Sequence, residues 1–95
     1  MEITEAKEWI VKTCGEGWMP LVEEAYEKLP STISISCVYQ KWGVLKFDCE
    51  PWDEGFESFL EDIEERSMGI CEKCGGAGAE KIIDGWVHTR CDLHD

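Results

Sequence analysis

A chain of 95 residues and 10.9 kDa has room for one small domain with at most a satellite module, which excludes a multidomain assembly. Its 21 acidic against 9 basic side chains leave a formal net charge of −12, a surface that repels phosphate backbones and anionic lipid headgroups. With 43% hydrophobic residues and no run near the roughly 18 apolar residues of a membrane helix, the composition fits neither a disordered nor a membrane-embedded chain.

The opening residues, Met1-Glu2-Ile3-Thr4-Glu5, have no basic stretch and no apolar run, so no secretory leader is expected and the expected compartment is a reducing cytoplasm. Residues 4–13 predict a short helix, capped by Thr4, with Ala6, Trp9, Ile10 and Thr13 on one face. Cys14-Gly15-Glu16-Gly17 interrupts it as a turn. A second helix is predicted over residues 19–29, with Pro20 near its start, Val22, Ala25, Tyr26 and Leu29 as its apolar stripe, and Pro30 ending it.

From Ser31 the period changes to two. Ile33, Ile35, Cys37 and Tyr39, then Leu45, Phe47 and Cys49, predict a hairpin over residues 32–49. If both odd-numbered sets share one face, the loop has odd length, and Lys41-Trp42-Gly43 fits a bulged three-residue turn. That register places Tyr39 opposite Leu45, Cys37 opposite Phe47 and Ile35 opposite Cys49, with Cys37 and Cys49 as buried thiols too far apart to bridge. Residues 53–67 predict the clearest helix: Asp53 as N-cap and Phe56, Phe59, Leu60, Ile63 and Ser67 at i, i+3, i+4 and i+7 spacing. Nine carboxylates and no Lys or Arg lie between Asp48 and Glu65. Asp53, Glu54, Glu57, Glu61, Glu64 and Glu65 are therefore candidate partner-binding residues. Their mutual repulsion costs a few tenths of a kcal/mol per i,i+4 pair, and a cationic partner would relieve it.

The strongest chemical motif is Cys71-Glu72-Lys73-Cys74-Gly75, then, with sixteen residues between Cys74 and Cys91, Cys91-Asp92-Leu93-His94. A two-residue spacer turns both ligands of a knuckle onto one ion, and two knuckles close a tetrahedron, so Cys71, Cys74, Cys91 and His94 are the candidate ligands of a structural Zn2+. Gly75 suits the turn after the second thiolate, and Asp84-Gly85 suits a type I′ turn between two short strands. The pattern predicts a zinc ribbon or a shortened treble clef in residues 70–95, docked through Trp86 and Ile82 onto an acidic α+β body of residues 1–69. His88 falls inside the second strand with the wrong spacing to Cys91 for a knuckle, and is expected to be exposed. Four protein ligands leave no place for a catalytic water. No H-x-E before a C-x-x-C, no H-E-x-x-H and no phosphate loop is present, and Cys14 reads as a small buried residue. No catalytic residue is predicted.

Gly15-Glu16-Gly17-Trp18-Met19-Pro20-Leu21, Lys41-Trp42-Gly43-Val44-Leu45-Lys46-Phe47, Ile63-Glu64-Glu65-Arg66-Ser67, the first knuckle, and Gly85-Trp86-Val87-His88-Thr89-Arg90-Cys91 occur in that order. In these stretches, covering residues 14–94, the chain resembles a family of small uncharacterised bacterial and bacteriophage proteins; Trp42 stands where that family usually has Phe. The resemblance implies that the zinc module and the α/β segment before it travel as one unit, and it implies no activity.

The expected function is a non-enzymatic, zinc-stabilised module that engages a basic protein surface, such as a phage-borne inhibitor of host or defence machinery, including an anti-CRISPR role. The alternative is a nucleic-acid-binding ribbon using Lys73, Lys81, His88 and Arg90 around Trp86. An assembly role would bury Trp18, Trp42 or Trp52 at an interface.

Overall fold

The computed structural model describes residues 1–94 as an α+β arrangement of three helices and two antiparallel hairpins: α1 (Ile3–Thr13), α2 (Met19–Glu27), β1 (Ser34–Lys41), β2 (Val44–Glu50), α3 (Glu54–Ser67), β3 (Ala79–Ile83) and β4 (Trp86–Arg90). Among the described residues no helix is long and apolar enough to cross a membrane. The helices pack against one another and against the β1–β2 hairpin. Ala6 and Ile10 of α1, Leu21, Val22 and Ala25 of α2, and Phe56, Leu60 and Ile63 of α3 meet Ile35, Val38, Leu45 and Phe47 of the strands. Trp18, between α1 and α2, is wholly buried. Burying one indole removes about 150–250 Å² from water and contributes on the order of 4–6 kcal/mol.

Two helix boundaries differ from the sequence expectation. α1 begins at Ile3, so Thr4 lies in its first turn, and Glu2 occupies the cap position without a side-chain hydrogen bond. α2 ends at Glu27, and Leu29 packs on the core from the segment that follows. α3 matches: the Asp53 carboxylate accepts from the Phe56 N–H at 2.8 Å. Ser67, also on the expected stripe, is fully buried but satisfied. Its hydroxyl donates to the Glu64 carbonyl and accepts from the Leu45 N–H, which ties α3 to β2.

The first hairpin corrects the predicted loop. Its turn has two residues, Trp42 (φ 57°) and Gly43 (φ 78°), the left-handed pair of a type I′ turn, with Lys41 paired to Val44. Gln40 therefore faces Leu45, and Val38 faces Phe47. Ile35 still faces Cys49, because a bulge between Ile35 and Cys37 inserts Ser36 as an extra residue. An even loop and one bulge restore the parity that an odd loop would have given. The inward set changes from odd-numbered Ile33, just before β1, and Ile35 to even-numbered Val38, and Cys37 and Cys49 end half-buried. The second hairpin has the expected turn, Asp84 (φ 52°) and Gly85 (φ 83°), with Ile83 opposite Trp86.

The two hairpins and the helical body are joined by close backbone approaches. Gly43 sits against β4: a Cβ there would lie 3.1 Å from the His88 carbonyl carbon, and the Thr89 hydroxyl donates to the Gly43 carbonyl at 2.6 Å. Trp86 and Ile82, expected to dock the module, are each 74% exposed. Backbone fit at Gly17 and Gly43 makes the joint instead.

Candidate metal centre

The first knuckle is a tight loop. The Gly75 N–H donates to the Cys71 carbonyl at 2.9 Å, and the Cys71 N–H donates to the Gly76 carbonyl at 2.7 Å. Gly75 takes φ 82°, a conformation open to glycine at little cost, which is why it follows the second cysteine. The Gly76 N–H points at the Cys74 Sγ, 3.4 Å away. The second knuckle is one turn, closed by the His94 N–H on the Cys91 carbonyl at 3.1 Å.

These loops bring Cys71, Cys74, Cys91 and His94 together, with one donor atom of each within 4.8 Å of all the others. The Cys74 and Cys91 sulfurs are 3.7 Å apart, while His94 Nδ1 lies 3.1 Å from the Cys91 Sγ and 3.9 Å from the Cys71 Sγ. A tetrahedron with metal–sulfur bonds of about 2.3 Å and a metal–nitrogen bond of about 2.0 Å has edges near 3.8 Å between sulfurs and 3.5 Å from sulfur to nitrogen. The observed spacings agree with the first and bracket the second. They do not agree with a disulfide, whose sulfurs are about 2.05 Å apart, and all six cysteines are free thiols. Residues 71–94 thus present a Cys3His donor set able to hold a metal ion, with His94 offering Nδ1.

Electrostatics favour the thiolate at one corner. Burial pushes the Cys71 thiol up, but backbone N–H groups of Cys74, Cys91 and Lys73 outweigh it and bring the pKa down to about 6. At Cys74 the Gly76 N–H acts in the same lowering sense, yet the neighbouring Cys91 and Cys71 thiols prevail and hold it above its ordinary value. A group of thiols competing for few protons is the state a cation resolves.

The residues around the donor set were not legible as partners in the sequence. Glu72, between the two ligands of the first knuckle, is completely buried. Its Oε1 lies 2.8 Å from His88 Nδ1 and accepts from Arg90 Nε at 3.3 Å, while its Oε2 has no hydrogen-bond partner among the described residues. Gln40 joins from β1, donating to the Val87 carbonyl with its amide 3.3 Å from His88 Nδ1. His88, expected to be an exposed strand residue, is thus half-buried, and its Nδ1 faces Glu72 rather than the cysteines.

On the other side the Gly15–Trp18 segment clasps the knuckle. The Gly17 N–H donates to the Glu72 carbonyl at 2.8 Å, and Trp18 Nε1 donates to the Ile70 carbonyl at 2.9 Å. Cys14 is buried beside them; burial first, then the Glu72 carboxylate, raises its thiol to about 11, the reverse of what a nucleophile requires. A signal for this clasp was present in the sequence: two glycines and a tryptophan within four residues, with no local turn type that requires all three.

The acidic residues divide. At 100° per residue Glu54, Glu57, Glu61, Glu64 and Glu65 lie within an arc of about 100° on α3. Glu64 is paired with Lys46 at 3.0 Å, and Asp53 is occupied as the helix cap. Glu54, Glu57, Glu61 and Glu65 have no ion pair among the described residues. The Glu57 carboxyl is raised, by burial first and then by Glu64, Glu61, Asp48 and Asp53. Trp18, considered for an interface, is inside; Trp42 and Trp52 are exposed.

No family model, no curated protein and no solved structure matches this chain.

Proposed function

We propose that this is a non-enzymatic protein-binding module, held in shape by Zn2+ on Cys71, Cys74, Cys91 and His94, that docks the acidic stripe of α3 onto a basic protein surface. Three soft thiolates and one imidazole suit Zn2+ better than a hard cation, and four protein donors make the ion structural rather than catalytic. The observation that carries the docking reading is the stripe itself. Four carboxylates with no ion pair among the described residues stand on a helix capped by Asp53, in a chain of net charge −12. Natural surfaces of a basic groove, such as the phosphate-binding channel of a nucleic-acid-processing host or defence complex, have the complementary chemistry, and a phage-borne inhibitor of such a complex is the specific form we favour.

The test is a salt titration against an immobilised basic nucleic-acid-binding protein. Binding should weaken steeply as ionic strength rises, and the triple variant Glu57→Lys, Glu61→Lys, Glu65→Lys should abolish it. Binding that ignores both salt and charge reversal would sink the proposal. The exposure of Trp86 supports a second reading, a ribbon that stacks single-stranded nucleic acid. That reading requires oligonucleotides to bind at low salt.

A further inference from the structure

Trp42, in the turn of the first hairpin, and Trp86, at the start of β4, line one cleft of about 230 Å³ together with Gln40, Lys41 and Val87. Both indoles are about three-quarters exposed. Neither is needed to join the hairpins, since that joint is made by Gly43 on β4 and by the Thr89 hydroxyl. The cleft is nonetheless held in shape. Trp42 is fixed by a type I′ turn, Trp86 by its pairing with Ile83, and Gln40 between them is tied to the Val87 carbonyl at 3.2 Å. Gln40 also lines a neighbouring cleft of about 220 Å³ bordered by Trp9, Tyr39 and His88, so the aromatic surface continues toward α1.

We infer that the Trp42–Trp86 cleft receives an arginine side chain of the basic partner, with the guanidinium plane stacked on the indoles. This deepens the docking reading above and rests on it. Two exposed indoles supply negative π faces to a cation. The planar, weakly hydrated guanidinium stacks on such faces where a strongly hydrated ammonium does so less well, while Lys41, the one charged residue lining the cleft, repels either cation alike. The whole-chain charge of −12 draws cationic peptide toward the surface and repels the phosphates that any stacked base would bring. The charge of the whole chain thus favours arginine over a nucleobase as the occupant.

The experiment uses the zinc-loaded full chain and fluorescently labelled hexa-arginine, with hexa-lysine and oligo-dT as comparison probes, read by anisotropy at low salt. Hexa-arginine should bind more tightly than hexa-lysine. The variant Trp42→Ala, Trp86→Ala should weaken hexa-arginine about five- to twentyfold and level the two peptides, with circular dichroism and zinc content unchanged because both indoles are exposed. Without any substitution, hexa-arginine should shift the indole N–H resonances of Trp42 and Trp86 ahead of those of Trp18. Undiminished hexa-arginine binding by the double variant, or unmoved indole resonances, overturns the inference. Oligo-dT binding that the double variant loses overturns it in favour of base stacking. Charge reversal on α3 should weaken both peptides alike; if it does not while the tryptophan effect stands, the helix reading falls and the cleft remains.

Discussion

Replacing Gly17 by alanine tests whether the body is fitted to the metal-binding knuckle. A Cβ at this position would lie 1.9 Å from the Cys71 carbonyl oxygen and 2.7 Å from both the Glu72 carbonyl carbon and the Gly75 nitrogen. All three atoms are backbone, in the loop that carries two of the four donors. Relief to about 3 Å means moving that loop by roughly 1.1 Å, since no flexible side chain is available to yield. Overpacking of this kind costs about 1–3 kcal/mol. Loss of the Gly17 N–H bond to the Glu72 carbonyl adds about 1 kcal/mol. A total of about 2–4 kcal/mol corresponds to a Tm lower by about 8–32 °C for a domain of this size. Because the displaced loop holds Cys71 and Cys74, zinc affinity falls as well, by about tenfold for each 1.4 kcal/mol of strain borne by the metal-bound state. Differential scanning calorimetry of the zinc-loaded chain and a chelator competition measure the two quantities. The paired control is Gly55→Ala in the first turn of α3, where the nearest contact is an ordinary 3.4 Å to the Asp53 carboxylate; it should be neutral or gain up to about 1 kcal/mol. A Gly17→Ala variant with unchanged Tm and unchanged zinc affinity would refute the clasp.

If Zn2+ holds the fold as proposed, chelation or Cys74→Ser should remove the ion and much of the native signal in circular dichroism, because the free energy of binding a metal only the folded chain can hold is folding free energy. Loss of affinity should exceed the 10–100-fold typical of outer partners, and a variant that keeps stoichiometric zinc by elemental analysis contradicts the ligand assignment. Glu72→Ala leaves Arg90 without its buried counter-ion and His88 Nδ1 without its carboxylate neighbour, and should cost about 3–5 kcal/mol in urea unfolding; a loss below 1 kcal/mol shows that the network is dispensable. Glu57 has a raised folded-state pKa, so the native chain holds its proton more tightly than the unfolded one, and this carboxyl lowers stability as pH rises above its ordinary value of 4.5. Glu57→Gln should therefore stabilise at pH 7 by a few tenths of a kcal/mol for each like-charged neighbour relieved, with the gain fading toward pH 4.5; a gain that persists or grows in acid contradicts the assignment.

The helices and the donor set were legible because their signals are local. Apolar spacing at 3.6 residues defines α3, and Asp53 stands at its start as the cap. The C-x-x-C and C-x-x-H spacings define their own knuckles, and the distance between them leaves room for one hairpin turned by Asp84-Gly85. The loop of the first hairpin was misread for an instructive reason. Parity reasoning constrains only the sum of loop length and bulges, and the Ser36 bulge exchanged one for the other while keeping Ile35 opposite Cys49. Nothing in the alternation of Ile33 to Tyr39 marks where the extra residue falls.

Trp86 and Ile82 were assigned inward on hydrophobicity alone, yet hydrophobicity does not say which neighbour is available to cover a side chain. His88 departs from its reading in the opposite sense, half-buried although expected to be exposed, and Glu72, for which the sequence offered no reading, is fully buried beside it. Their partners lie on different elements, with Gln40 on β1 and Arg90 on β4. Burial of a charge requires several such groups to converge, which is decided only when distant segments pack. Local periodicity and ligand spacing therefore determined that this acidic chain is an α+β fold ending in a Cys3His donor set able to hold a metal ion. Long-range backbone contact decided the rest: that Gly17 and Gly43 hold the tail to the body, that a carboxylate is locked in the joint, and that two tryptophans are left facing solvent across a single cleft.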